Sequence, residues 1–147
     1  FGTPILNFNG QGYTGVNPPD TVGDVGPNHY VQMINGSGGG ILTVYNKTTG
    51  AVISGPTSLD SLGAGACASG IGDPIVLYDQ AADRWLLSEF ASSGNHLCVY
   101  VSQTASPTGA YYAYDFTTPV FPDYPKYGVW PDAYYMTANL RCRRRVR

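Results

Sequence analysis

The chain has 147 residues, 43% hydrophobic and only 12% charged, which is enough apolar material for one core-forming domain with a sparsely charged surface. Its formal net charge of −2 hides a division. Arg141, Arg143, Arg144, Arg145 and Arg147 crowd the last seven positions, so residues 1–140 hold Lys47, Arg84 and Lys126 against ten acidic residues, a body charge of −7. An acidic body argues against a nucleic-acid groove, and no apolar run approaches the roughly 20 residues of a transmembrane helix.

Tyrosine (12) and glycine (19) are used heavily, and no long stretch places apolar residues at helical spacing, so the expectation is an all-β domain with many turns. Residues 1–16 are rich in Gly, Asn and Pro and read as an extended lead-in. Residues 17–140 form the β-repeat domain. Within it, His29–Asn35 and Ile41–Tyr45 read as strands around a glycine turn. The hairpin turn Asn46–Gly50 leads to a partner strand at Ala51–Ser54. Ser58–Gly72 is a small-residue loop around Cys67. Pro74–Tyr78 and Arg84–Phe90 flank a turn at Asp79–Asp83, His96–Ser102 alternates strongly, and Tyr111–Phe116 follows. Thr117–Pro125 reads as a proline-marked crossing before the strand-like Tyr134–Leu140. Residues 141–147 break abruptly in composition and read as an artefact of truncation or reading frame, so they are left out of the fold argument.

One pattern returns three times, over residues 18–35, 72–90 and 123–139. Each instance has an Asp/Pro-marked entry, a polar turn and an aromatic-led apolar run. A unit of roughly 50 residues repeated in this way suggests a partial β-propeller of four-stranded antiparallel blades, with about two blades and the start of a third; a β-sandwich is the alternative. Open blade edges expose unpaired backbone, so self-association through them is a further expectation. Cys67 precedes the second unit and Cys98 lies in a strand that follows it, a pair suited to a disulfide in a secreted protein, although two buried thiols would fit the same spacing. Cys142 belongs to the basic tail. No signal peptide is visible, and the chain opens at Phe1 as a processed product would.

The segments Pro-Pro-Asp-Thr…Gly-Asp-Val-Gly-Pro-Asn-His-Tyr-Val-Gln (18–32), Gly-Asp-Pro-Ile-Val-Leu-Tyr-Asp…Asp-Arg-Trp-Leu-Leu-Ser (72–88) and Tyr-Pro-Lys-Tyr-Gly-Val-Trp-Pro-Asp-Ala-Tyr-Tyr-Met-Thr-Ala-Asn (124–139) occur in this order. Together they resemble an uncharacterised family of large secreted bacterial proteins with β-propeller-like modules. The resemblance spans most of residues 17–140 and departs after Leu140. It implies an extracellular location and a module that often accompanies surface or carbohydrate-related domains. It supplies no catalytic residues.

The chemistry-bearing residues admit several readings. There are nine aspartates and one glutamate. Asp24 and Asp79 each precede an aromatic, Tyr30 or Trp85, by six positions, and a repeated turn aspartate reads first as an Asx-turn cap. The catalytic reading makes Asp24 and Asp79, with Asp132 as a third, the paired carboxylates of a glycoside hydrolase, which need a separation of about 5–10 Å. Glu89 lies in a strand pattern, either exposed at an edge or buried with a partner. Asp20 and Asp24 place oxygens on one short turn, a weak signal for structural Ca²⁺ without EF-hand spacing; no cofactor is otherwise required. His29 and His96 are too few for a His-rich zinc site. The aromatics point to glycan binding, with exposed rings packing on sugar C–H faces. Trp130 and Tyr127, together with Asn28 and His29, are the ligand-binding candidates, and Trp85 is assigned to packing. The leading expectation is an extracellular carbohydrate- or surface-binding module. A polysaccharide hydrolase and a structural scaffold fragment are the alternatives.

Overall fold

A computed structural model describes residues 2–140; the basic tail at 141–147, with Cys142, lies outside the described residues. Strands β1 (Val22–Val25), β2 (His29–Gly36), β3 (Gly39–Asn46) and β4 (Val52–Ser58) pair in sequence order as one antiparallel sheet, sheet A. Two short 3-10 turns, Leu59–Leu62 and Gly65–Ala68, lead to sheet B, built the same way from β5 (Gly70–Asp79), β6 (Arg84–Ala91), β7 (His96–Ser102) and β8 (Tyr111–Thr117). A two-stranded hairpin, β9 (Pro122–Trp130) and β10 (Ala133–Leu140), completes the described chain. The architecture is therefore all-β, with antiparallel sheets of four, four and two strands, and no described helix is long and apolar enough to cross a membrane.

Local chemistry explains the hairpins. Asn46 Oδ1 accepts the Thr48 and Thr49 amides at 2.9 and 3.0 Å, an Asx turn between β3 and β4 that ends at Gly50 with φ 73°. Pro131 and Asp132 alone join β9 to β10, because Trp130 pairs with Ala133.

Strand alternation then divides each sheet into two faces. On one face of sheet A, Val31, Met33 and Val44 meet Val76, Trp85, Leu87, Cys98 and Tyr100 of sheet B in a continuous core. Full burial of each large apolar side chain there contributes roughly 1.5–3 kcal/mol. The other face of sheet B presents Leu86, Phe90, Leu97 and Val99, against which Tyr127 of the hairpin packs. The other face of sheet A is covered by the lead-in. The Phe8 ring lies 5.3 Å from Tyr45 and 6.1 Å from Tyr30, and the Gln11 amide donates to Gln32 Oε1 at 2.8 Å. The lead-in, sheet A, sheet B and the hairpin thus form a stack.

Several boundaries differ from those expected from the sequence. β9 begins at Pro122, inside the stretch read as a crossing, and tolerates Pro122 and Pro125 because it pairs on one side only; Tyr124 and Pro125 fall where the strand register is interrupted. β4 runs to Ser58, past the expected Ser54, because it shifts register twice along β3. β5 starts at Gly70, inside the expected loop, with register shifts that free Asp73 and Pro74 from regular pairing. Asp24 and Asp79 are not equivalent. Val25 pairs with Tyr30 and Tyr78 with Trp85, with four residues (26–29) between the first pair and six (79–84) between the second, so Asp24 matches Leu77 and Asp79 matches Gly26.

Asn35, buried at the end of β2, ties three layers together. Its Nδ2 donates to Pro18 O at 3.0 Å and to Asp20 Oδ2 at 2.8 Å, its Oδ1 accepts the Asp73 amide at 2.9 Å, and its carbonyl accepts from Thr14 Oγ1. A Cβ at Gly72 (φ 109°) would overlap Asn35 Oδ1, so only glycine permits this approach.

A disulfide joins Cys67 of the second 3-10 turn to Cys98 of β7, 31 residues apart, and fits an oxidising compartment. For a loop of that length, chain entropy puts the cross-link at about 3–4 kcal/mol. Urea unfolding with and without reductant should show a loss of that order. The single substitution Asn35→Ala, which removes the part-buried hydrogen bonds to Pro18, Asp20 and Asp73, is expected to cost about 2–4 kcal/mol by the same measurement.

Candidate functional site

Strands β1, β5 and β9 open the three sheets, and residues at or near their entries converge. Asp20, Thr21 and Val22, then Asp73, Pro74 and Ile75, then Tyr124, Pro125 and Lys126 line a crevice of mixed polar and apolar character of about 250 Å³. Asp20, Asp73 and Tyr124 take left-handed backbone conformations there, with φ of 40°, 52° and 57°. Burial, followed by the hydrogen bond and charge of Asp20, pushes the Asp73 carboxyl above its ordinary value; the charge of Asp123 adds to this and the Asn35 hydrogen bond opposes it. Lys126 Nζ lies 4.2 Å from the centre of the Tyr124 ring, a cation–π contact at the mouth of the crevice.

The far ends of the same strands are bound through aspartates. Asp24 Oδ2 accepts the Tyr78 amide at 2.7 Å across the boundary between the sheets, while its Oδ1 accepts the neighbouring Val25 amide at 2.8 Å. Asp79 Oδ1 accepts the Ala81 and Ala82 amides at 2.9 and 3.0 Å, and its Oδ2 accepts the Tyr134 hydroxyl at 2.8 Å. Burial raises the Asp79 carboxyl, but the two amides and the Tyr134 hydroxyl outweigh it, and the net shift is downward. Asp79 is thus a turn cap that also clamps the hairpin to sheet B. Asp132, exposed in the β9–β10 turn, accepts the Tyr135 hydroxyl at 2.8 Å, which raises that phenol.

Glu89 is buried, accepting only the Gly40 amide, so the edge-exposed alternative is discarded. Asp20 and Asp24 are engaged by Asn35 and Tyr78 respectively, and among the described residues no group of three or more His, Cys, Asp or Glu side chains is placed to hold a metal ion.

Alternation gives the hairpin two faces. Tyr127, Tyr134 and Met136 turn toward sheet B and line an apolar groove of about 510 Å³ with Val99, Tyr114 and Phe116. Burial pushes the Tyr127 phenol up to about 12, with the facing Ser88 hydroxyl pulling the other way. The opposite face carries Trp130 (69% exposed) and Tyr135 (53% exposed), diagonal neighbours in the register, with Gly128 and Ala133 beside them; no atom lies within 4 Å of where a Gly128 Cβ would stand. Two rings therefore stand clear of the sheet, with the Asp132 carboxylate bonded to one of them.

Trp130 is thus on the outer face and Tyr127 on the face toward sheet B, where it packs on Leu86, Phe90, Leu97 and Val99. Asn28 lies in the β1–β2 turn of sheet A and His29 opens β2; the Asn28 carbonyl accepts the Lys47 amide and the His29 carbonyl accepts the Gly26 amide. Trp85 is fully buried. Sequence reasoning passes over Tyr124, Lys126 and Asp73. The signal available is the recurrence of Asp beside Pro at each unit's entry. No protein-family profile, curated protein or solved structure matches the chain.

Asp79→Ala should lower stability by about 1–3 kcal/mol, while Asp79→Asn, which keeps an acceptor oxygen, should lose less. Because the folded carboxyl is depressed, its contribution is present above the unfolded value near 3.8 and is lost as pH falls through the folded value. Urea midpoints between pH 5 and pH 2 should therefore fall less steeply for Asp79→Asn than for the parent protein.

Proposed function

We propose that the chain is an extracellular carbohydrate- or surface-binding module of the β-propeller type, presenting the outer face of the β9–β10 hairpin to a glycan. The observation that carries the reading is the open pair Trp130 and Tyr135, with Asp132 held beside Tyr135. Flat exposed rings offer a surface for sugar C–H groups, and carboxylate, amine and phenol groups take the hydroxyls. The crevice extends this chemistry with Tyr124, Lys126, Asp20 and Asp73.

The propeller part of the reading is supported by repetition. Sheets A and B are both four-stranded meanders in sequence order, and their first strands, together with β9, converge at one end and are linked by aspartates at the other. The motif resemblance to secreted propeller-like modules and the Cys67–Cys98 disulfide support an extracellular setting. The hydrolase reading through Asp24, Asp79 and Asp132 is less favoured, since Asp24 and Asp79 are committed to backbone amides and Asp132 to Tyr135.

One observation favours the scaffold reading. Each four-stranded sheet has a neighbouring layer on both faces, and the outer face of the hairpin is the counterpart of such covered faces. A panel of plant and microbial polysaccharides in affinity electrophoresis separates the readings. The binding reading expects retardation by at least one glycan, weakened about tenfold or more by Trp130→Ala or Tyr135→Ala with unchanged unfolding midpoints. Retardation by none, from a folded sample, would leave the scaffold. Reducing-sugar release that disappears in folded Asp24→Asn or Asp79→Asn would instead establish the hydrolase.

A further inference from the structure

The chain's one glutamate is placed where a carboxylate is hardest to keep. Glu89 lies in β6, opposite Cys98 of β7, on the face of sheet B that meets sheet A, and it is 1% exposed. Its Oε2 accepts the Gly40 amide of β3 at 2.7 Å, and its Oε1 is buried with no hydrogen-bond partner. The slot is walled by backbone. A Cβ at Gly39 or Gly70 would run into the carboxyl, and one at Gly40 would touch it. Facing groups come from every packed element: Asp60 from the first 3-10 turn, whose Oδ1 accepts the Gly70 amide at 2.6 Å, the Tyr100 phenol from β7, and the Cys67–Cys98 disulfide. Among the described residues no cation compensates. Lys47 donates to Gly26 O, Arg84 to the carbonyls of Ala82 and Asp83, and Lys126 lies over Tyr124.

We propose that the boundary between the two four-stranded sheets is a pH-operated latch, closed while Glu89 carries its proton and loosened when it ionises between the glycines of β3 and β5. A neutral carboxyl, with one accepted hydrogen bond and its other oxygen unpartnered, loses far less by burial than the charged form. A carboxylate there has an unsolvated oxygen, no counter-ion and Asp60 nearby. Burial, opposed by the Gly40 amide and reinforced by Asp60, pushes the group up to about 7. Because the folded value lies above the unfolded one, the stabilisation is fully present below about pH 4.5 and is lost as pH rises through about 7. The inter-sheet boundary is thus tight in acidic surroundings and labile in alkaline ones. Asp73, also raised, contributes a slope of the same sign, so the effect of Glu89 must be isolated by substitution.

The uniqueness of Glu89 makes it directly observable. Glutamate-selective ¹³C labelling of the side-chain carboxyl should give a single resonance, expected to titrate near pH 7; a midpoint near 4.5 overturns the proposal. In parallel, amide exchange at Gly40 and Gly70 and urea midpoints are followed from about pH 5 to about pH 8.5 in the parent protein and in Glu89→Gln. The unfolding equilibrium constant of the parent should rise on the order of 100-fold more than that of Glu89→Gln across this range. At about pH 8, amide exchange at both glycines should be faster in the parent than in Glu89→Gln. Parallel pH profiles, or titration near 7 without a change in exchange at those glycines, would overturn the latch. Should Glu89→Gln fail to fold, the carboxyl titration and the exchange profile of the parent alone decide.

Discussion

Asn35 is the constraint on which the arrangement of the other parts depends. A primary amide has two donors and two acceptor lone pairs, and here it spends both kinds on backbone and carboxylate groups from the lead-in, from β1's entry and from β5's entry. Because Asn35 itself is buried, losing its partners leaves its amide short of hydrogen bonds, so the segments that supply them are held together. Gly72 allows the close approach of Asn35, and the left-handed residues Asp20 and Asp73, both bonded to this amide, line the crevice beside it.

The same economy runs through the carboxylates. With few charges in the body, they are used largely inside the fold. Asp24 holds a neighbouring sheet's amide, Asp79 caps a turn and clamps the hairpin, Asp60 holds Gly70, and Glu89 fills a slot among glycines. A carboxylate that accepts two or three hydrogen bonds is held in one geometry and is poorly placed to exchange protons with a substrate. The candidate surface instead lies where rings outnumber structural duties, on the outer face of β9–β10, and the two kinds of residue sit within one hairpin.

Much of this is legible in the chain and some is not. Trp85–Phe90 and His96–Ser102 are legible as strands because short apolar runs bounded by turn residues mark strands of this length, although both are buried on both faces and carry no period-2 burial. The burial of Trp85, the exposure of Trp130 and the pairing of Cys67 with Cys98 are also within reach. The equivalence drawn between Asp24 and Asp79 fails because a count from the next aromatic ignores turn length, and the β5–β6 turn is longer. Tyr127 and Trp130, three apart, group together in sequence, but an odd separation in a strand sends them to opposite faces. The prolines of β9 conceal a strand because an edge position needs fewer amide donors than sequence rules assume.

By itself the sequence determined the all-β class, the repeated hairpin order, the compositional break at Arg141 and which residues had the chemistry to matter, since these depend on local periodicity, turn propensity and residue type. Only the tertiary structure decided which faces meet. It placed Tyr124 and Lys126 beside Asp20 and Asp73, set Glu89 against Gly40 and Gly70, and left Trp130 and Tyr135 in the open. The physical reason is that burial and charge compensation arise between segments tens of residues apart. Neither strand period nor turn chemistry encodes the layer that will lie across a given face.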